Sequence, residues 1–203
     1  MARVGVRAGR LSTVGRAEQR SAGKRAGGCI ALQLALDMPE AVHSLALLEP
    51  GLMVGQSGQG YRQALMQGER RFREFGPQVV VDEFLQARWP GYRDWLDQIQ
   101  PGAFEQAVLD APAWFERDLP AQLKWTFGEA EARRITQPVL SVLGGDSDAL
   151  WSRFGETHRL LLEWLPHGEG FILPGTTHFL QMEDPRGMAD GLSDFLRRHP
   201  LKT

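Results

Sequence analysis

The fold class is indicated by two neighbouring apolar runs, Cys29-Ile30-Ala31-Leu32-Gln33-Leu34-Ala35-Leu36 and Val42-His43-Ser44-Leu45-Ala46-Leu47-Leu48. The first run is rich in helix-forming residues and stops at Asp37-Met38-Pro39, where proline disfavours a longer helix. The second run is typical of a buried strand and ends at Glu49. A buried helix followed closely by a buried strand is half of a parallel α/β unit, and we therefore predict an α/β fold.

The same alternation returns near the end of the chain. The pattern predicts strands over 138–143 and 170–173, an amphipathic helix over 156–165 and a closing helix over 185–198. We therefore expect residues 27–51 and 137–203 to build one core, an incomplete parallel sheet flanked by helices.

Residues 52–136 have a different character. Gly and Pro breaks separate short amphipathic segments over 61–75, 79–88, 92–99 and 103–109, and four of the six tryptophans, Trp89, Trp95, Trp114 and Trp125, lie in this region. We predict a helical cap, or lid, packed over the sheet. Its aromatic side chains either line an apolar substrate pocket or hold the short helices together, and the sequence leaves both alternatives open.

The start of the chain is basic and lacks a sustained period, so residues 1–26 are predicted to be disordered. Residues 1–28 carry seven basic residues and one acid, a net +6, which leaves −8 for the rest of a chain of 203 residues with net charge −2. The segment has no aromatic residues for base stacking, and we predict no nucleic-acid partner.

The composition also bears on compartment and cofactors. No apolar run reaches the length of a membrane span, and the first residues lack the apolar stretch of a secretory signal. The single cysteine, Cys29, excludes an internal disulfide and gives no metal cluster. We predict a cytoplasmic protein without a cofactor or metal.

His178 is the strongest candidate for a functional side chain. It lies on a short turn after the strand over 170–173, where a neutral imidazole can accept and return a proton near pH 7. Surface or capping roles are predicted for the other histidines, which are His43, His158, His167 and His199.

Carboxylates follow the other strands and are candidates to orient that histidine. Glu49 ends one strand, and Asp146 and Asp148 lie in the loop after another. Ligands bind at this edge of an open α/β sheet, and an acid there can hold a histidine and stabilise its imidazolium. Asp148 is favoured for its spacing from Gly145, with Asp146 and Glu49 as alternatives; a helix cap is the structural interpretation of the two aspartates.

In this order the pieces resemble the C-terminal part of the α/β-hydrolase fold. Residues 27–35 are similar to the helix after the family's nucleophile elbow, 38–45 to the turn into the next strand, 138–148 to the acid-bearing segment and 175–180 to the histidine loop, over about residues 26–200. The resemblance implies hydrolysis of an ester or similar acyl bond through a covalent serine intermediate. His178 would be the base, Asp148 or Glu49 the acid, and Trp89, Trp95 and Trp114 would face a small apolar substrate.

The resemblance fails at the nucleophile. Family members carry Gly-x-Ser-x-Gly on a sharp strand-to-helix turn, whereas Gly23-Lys24-Arg25-Ala26-Gly27 aligns here. A guanidinium stays protonated and cannot attack a carbonyl. The segment from Arg10 to Ala22 is too polar for a buried parallel strand, so we expect the strand before the elbow to be absent. Cys29 is an unfavoured substitute, because it lies one helical turn further on and is typical of a small buried hydrophobe.

Two hypotheses follow. The first is a truncated α/β-hydrolase chain with a triad remnant and little or no triad catalysis. The second is a non-catalytic binding or interaction protein on the same fold, which forms homo-oligomers through an open sheet edge. The reaction class itself is an analogy, because related folds host dehalogenases, epoxide hydrolases and peroxidases.

Overall fold

The structure is a computed structural model that describes residues 19–201, with the backbone alone described for residues 19–25 and Arg88. Four parallel strands form one sheet in the order β1-β2-β3-β4. Their bounds are β1 Gln19–Arg25, β2 Val42–Pro50, β3 Val139–Gly144 and β4 Gly168–Leu173. The predicted α/β fold with a parallel sheet is confirmed.

The helices follow the strands and fill the region between β2 and β3. They are α1 Ala26–Asp37, α2 Gly58–Arg88, α3 Tyr92–Ile99, α4 Ala103–Ala113, α5 Leu119–Lys124, α6 Glu129–Ala132, α7 Ser147–Leu150, α8 Arg153–Trp164, α9 Leu180–Glu183 and α10 Pro185–Arg198. A 3-10 turn, Pro39–Ala41, precedes β2, and a π-helical turn, Trp114–Asp118, joins α4 to α5. The predicted bounds of α3 and α10 agree with the structure.

The sheet lies between two layers of helices, and the alternation of side chains along β2 creates both interfaces. Leu45 and Leu47 are fully buried and pack in one cluster with Leu32 of α1 and Leu161 of α8. Ala46 faces the other way, in a cluster that contains Phe195 of α10. Burial on both faces explains why β2 appears in the sequence as a continuous apolar run.

Strand β1 corrects two predictions. Residues 19–25 were expected in a disordered segment, and the strand before α1 was expected to be absent, yet they pair in parallel with β2. Pairing uses backbone groups, and β1 is one of the two outer strands of the described sheet, where polar residues are tolerated better than in the centre. The prediction of disorder for residues 1–18 lies outside the described residues.

The helical insertion predicted between β2 and β3 is present, but its first two segments merge. Helix α2 spans both and bends at Gly76, whose φ of 78° and ψ of 176° are non-helical, next to Pro77. Within residues 19–201, no helix combines the length and the apolar character that a membrane crossing requires.

Candidate active site

A buried histidine–carboxylate pair lies at the carboxyl edge of the sheet. The side chains of His178 and Glu49 are 2% and 1% exposed, and Nδ1 of His178 contacts Oε2 of Glu49. In the tautomer that this contact favours, Nδ1–H donates to the carboxylate and Nε2 is the atom that can take a proton. An imidazole held by a carboxylate in this way is chemically able to act as a general base with an orienting acid.

The other oxygen of Glu49 is also bound. Oε1 accepts a hydrogen bond from the backbone N–H of Gly144 at 2.8 Å and from the hydroxyl of Ser147 at 2.5 Å. Glu49 has a φ of 44°, the left-handed region that non-glycine residues rarely occupy. Such a backbone conformation persists only where surrounding contacts enforce it, and the bonds to both carboxylate oxygens hold the side chain in one orientation.

The loop that carries His178 packs directly on the segment that ends β3 and begins α7, whose Gly144 and Ser147 donate hydrogen bonds to Glu49. A Cβ at Gly144 would come within 2.6 Å of the carbonyl oxygen of Thr176, so only glycine permits this approach. The histidine loop is tied at its other end, where the N–H and hydroxyl of Thr177 donate to Glu183 at 2.5 and 2.8 Å. Two short loops therefore bring together residues that lie 129 positions apart.

Of the three candidate acids, the one that contacts His178 is Glu49 and not Asp148, the residue favoured by its spacing from Gly145. Oδ1 of Asp148 accepts from the backbone N–H of Gly155 at 2.6 Å and so caps the start of α8. Asp146 is exposed and makes no side-chain cap bond. The spacing in this loop is that of an acid segment, but its first helical turn, α7, directs Ser147 rather than Asp148 toward the pair.

A cavity of about 200 Å³ adjoins the histidine and is lined by Ala87, Leu150, Trp151, Phe154 and His178. The Phe154 ring stacks on the His178 ring, with centroids 4.7 Å apart.

The tryptophans expected to face a substrate are not among the residues that line this cavity. Trp89 and Trp95 pack on each other, with centroids 3.5 Å apart, and Trp89 packs on Phe179 at 5.1 Å. Trp114 begins the π-helical turn. The tryptophan of the cavity wall is Trp151, and a role in substrate contact for Trp89, Trp95 and Trp114 stays a prediction.

The residue that the resemblance aligns with the family's nucleophile, Arg25, lies at the junction of β1 and α1. Strand β1 ends at Arg25 and α1 begins at Ala26, so the chain passes from strand to helix without an intervening loop, as at a nucleophile elbow. Cys29 is 7% exposed in the core. Burial raises the pKa of its thiol to about 12, despite lowering effects of nearby groups that include Arg153. It therefore remains a thiol at neutral pH and is a poor nucleophile.

Two site residues were missed in the sequence. Ser147 is fully buried against Glu49, and its position after a strand was a signal that could have identified it. Arg153 is 3% exposed, and its guanidinium carbon lies 3.9 Å from the ring centroid of Tyr61 and 4.4 Å from that of Phe154. An arginine at the polar start of an amphipathic helix carries no sequence signal of burial.

No group of three or more His, Cys, Asp or Glu residues within the described part of the chain is placed to hold a metal ion. Neither a family model nor a curated protein matches the sequence.

Solved structures do match. MenH from S. aureus superposes with a TM-score of 0.72 at 16% identity, over 89% of this chain and 68% of that protein. An alpha/beta hydrolase enzyme from a Medee basin deep-sea metagenome library matches with a TM-score of 0.71 at 15% identity, over 93% and 68%. The enol-lactonase from Burkholderia xenovorans matches with 0.70 at 17% identity, over 90% and 66%. The chain therefore has the α/β-hydrolase fold.

Proposed function

We propose that this chain carries the base and the acid of a hydrolase site for ester or similar acyl bonds, and that its own turnover is low because Arg25 stands at the nucleophile position. The observation that supports the site most strongly is the buried contact between His178 and Glu49, next to a cavity of about 200 Å³. The observation that supports low turnover is the identity of residue 25, which ends β1 immediately before α1.

In the proposed chemistry, Nε2 of His178 removes the proton of an attacking hydroxyl and later returns it to the leaving alkoxide. Glu49 keeps the imidazole in the required tautomer and stabilises the imidazolium that forms. A guanidinium at residue 25 offers no hydroxyl to deprotonate. The acyl–enzyme step therefore lacks its nucleophile, although the base remains positioned.

Restoring the nucleophile tests this proposal. The wild type, Arg25→Ser and the matched Arg25→Ala are assayed with p-nitrophenyl acetate under single-turnover conditions. We expect the wild type and Arg25→Ala to stay near the uncatalysed rate, and Arg25→Ser to release p-nitrophenol about 100-fold faster than Arg25→Ala, the scale of general-base catalysis. Adding His178→Ala to Arg25→Ser should remove the gain.

Two results would count against it. Wild-type turnover that His178→Ala abolishes would show that low activity is wrong. A folded Arg25→Ser variant with no gain over Arg25→Ala would show that the His178–Glu49 pair is not a competent base.

A second function fits the same site: binding a small molecule without converting it. The observation that favours it is again Arg25 at the elbow position, because a site that keeps its cavity but lacks a nucleophile can retain a ligand intact. A ligand that raises the unfolding temperature and is recovered unchanged after long incubation would support this function over hydrolysis.

A further inference from the structure

Arg153, the first residue of α8, is a buried cation whose hydrogen-bonding groups are incompletely used. It is 3% exposed, and its Nε and Nη1 atoms have no hydrogen-bond partner among the described residues. A charged group removed from water without such partners is costly, and proteins seldom retain one without a reason. The proposed hydrolase chemistry does not use this side chain.

The surroundings of the guanidinium are aromatic. Its carbon lies 3.9 Å from the ring centroid of Tyr61, 4.4 Å from that of Phe154 and 5.4 Å from that of Trp151. Ring faces attract the positive charge, but they leave the N–H groups without oxygen acceptors. The rings therefore stabilise the cation at this place but do not accept hydrogen bonds from its N–H groups.

The nearby carboxylate does not supply the missing acceptor. Glu49 acts on Arg153 only at long range: burial lowers the pKa of Arg153, while Tyr61, Glu49 and Cys29 raise it. Both oxygens of Glu49 are already bound, Oε2 to His178 and Oε1 to Gly144 and Ser147. An acceptor for Arg153 has to come from outside the described residues.

The cavity beside His178 offers a place for such an acceptor. Phe154 and Trp151, which contact the guanidinium, also line this cavity of about 200 Å³. Tyr61 belongs to α2, so Arg153 lies where the core meets the helical insertion. Arg153 is not itself a lining residue, but it contacts two side chains of the largely apolar wall. A small molecule with an apolar body and a single anionic end would suit such a cavity with a cation beside its wall.

We propose that Arg153 binds the carboxylate of a small aromatic or aliphatic acid that occupies the cavity next to His178. The proposal names the ligand class of the proposed hydrolase site and rests on that site being the binding cavity. A carboxylate forms strong, charge-assisted hydrogen bonds with guanidinium N–H groups and would supply acceptors for the buried cation of Arg153.

Calorimetric titration of the wild-type protein with benzoate and with its neutral isostere benzamide tests the proposal without any substitution. We expect benzoate to bind at least about 30-fold more tightly, the scale for a buried charged hydrogen-bonded pair. Equal binding of the two, or binding of neither, would overturn the proposal.

Substitutions test whether Arg153 is the residue that causes the preference for benzoate. Arg153→Met should reduce the benzoate preference to less than about threefold, while Arg153→Lys keeps a charge and should retain part of it. Arg159→Met is the matched control, since Arg159 lies on the same helix with a side chain 64% exposed, and it should bind benzoate like the wild type. Wild-type affinity in a folded Arg153→Met variant would refute the assignment.

The binding readout separates this inference from the proposed function. Benzoate preference that depends on Arg153, together with no esterase gain in Arg25→Ser, would support the ligand class and reject the hydrolase site. An esterase gain without any preference for benzoate would support the hydrolase site and reject the ligand class.

Discussion

Glu49, rather than Asp148, contacts the ring of His178, and this difference is testable in the Arg25→Ser background. Glu49→Gln keeps the shape of the side chain, but its amide donates to Nδ1 and stabilises the tautomer in which Nε2 carries the proton. We expect the single-turnover rate with p-nitrophenyl acetate to fall at least about 100-fold, as when an orienting acid is amidated in a triad.

Asp148→Asn is the control for that measurement. An asparagine can still accept from the N–H of Gly155, which Asp148 contacts at 2.6 Å, so the rate should change by less than about twofold. A large loss in Asp148→Asn with little loss in Glu49→Gln would assign the acid role to Asp148 instead.

Cys29 provides a second test at the scale of one residue. Burial raises the pKa of its thiol to about 12, so the reactive thiolate is scarce in the folded protein at pH 8. We expect a disulfide reagent such as Ellman's reagent to label the native protein at least about 100-fold more slowly than the urea-unfolded chain. Rapid native labelling that His178→Ala slows would revive Cys29 as a nucleophile activated by the histidine.

The sequence could place His178 and Glu49 because residues that follow buried strands share one edge of a parallel sheet. It could not choose among the acids, because that choice depends on which side of the α7 turn faces Glu49. The burial of Arg153 could not be predicted from the sequence either, because it depends on a contact with Tyr61, which lies 92 residues earlier in the chain.

Helix α8 is joined to the start of the insertion by one carboxylate. Glu156 accepts hydrogen bonds from the backbone N–H groups of Gln56 at 2.7 Å and Ser57 at 2.9 Å, and from the Ser57 hydroxyl. These bonds to Ser57 lower the pKa of Glu156. The contact fixes the segment between β2 and α2, where the chain leaves the core.

Removing that carboxylate should loosen the junction. We expect Glu156→Ala to lower the free energy of unfolding by about 1–2 kcal/mol, because charged hydrogen bonds are lost, and to speed amide hydrogen exchange at residues 56 and 57. Glu163→Ala is the control on the same helix, since Glu163 pairs only with exposed Arg159 at 3.6 Å among its described contacts. Similar effects of both substitutions would contradict a specific role for Glu156.

For whole helices and strands, a strong hydrophobic periodicity in the sequence predicted the element correctly, whereas a segment without such periodicity was predicted wrongly. Helices α3 and α10 have Gly or Pro at their starts and appeared with the predicted bounds. Strand β1 was missed because its polar sequence, Gln19–Arg25, gives no apolar signal, while its pairing with β2 depends on backbone groups. The merger of two segments into α2 was missed because Gly76-Pro77 is typical of a break.

Across the whole molecule, buried and paired titratable groups should make stability depend on pH in two steps. Burial lowers the pKa of His158, and the charges of Glu49 and Asp148 raise it by less. The ionised side chains of Glu156 and Glu169 are hydrogen-bonded, and their pKa values are lowered as well. All three groups bind protons more readily in the unfolded chain, so acid favours unfolding.

We assign the decline in stability at the higher pH to the protonation of His158. An imidazole with a lowered folded pKa gives stability that is fully present above its unfolded pKa of about 6.5 and is lost as pH falls toward the folded value. We expect the urea midpoint to decline from about pH 6.5 downward, and to decline again below about pH 4.5 as the carboxylates protonate.

His158→Gln isolates that upper step. Nδ1 of His158 lies 2.9 Å from the hydroxyl of Ser141, and a glutamine can keep a hydrogen bond there without titrating. The midpoint of His158→Gln should therefore stay level between about pH 7 and pH 5, while the lower step remains. His167→Gln, at an exposed position, should behave like the wild type. If the decline near pH 6.5 persists in His158→Gln, another group in the fold is responsible for it, and the part-buried His158 is not what couples protonation to unfolding.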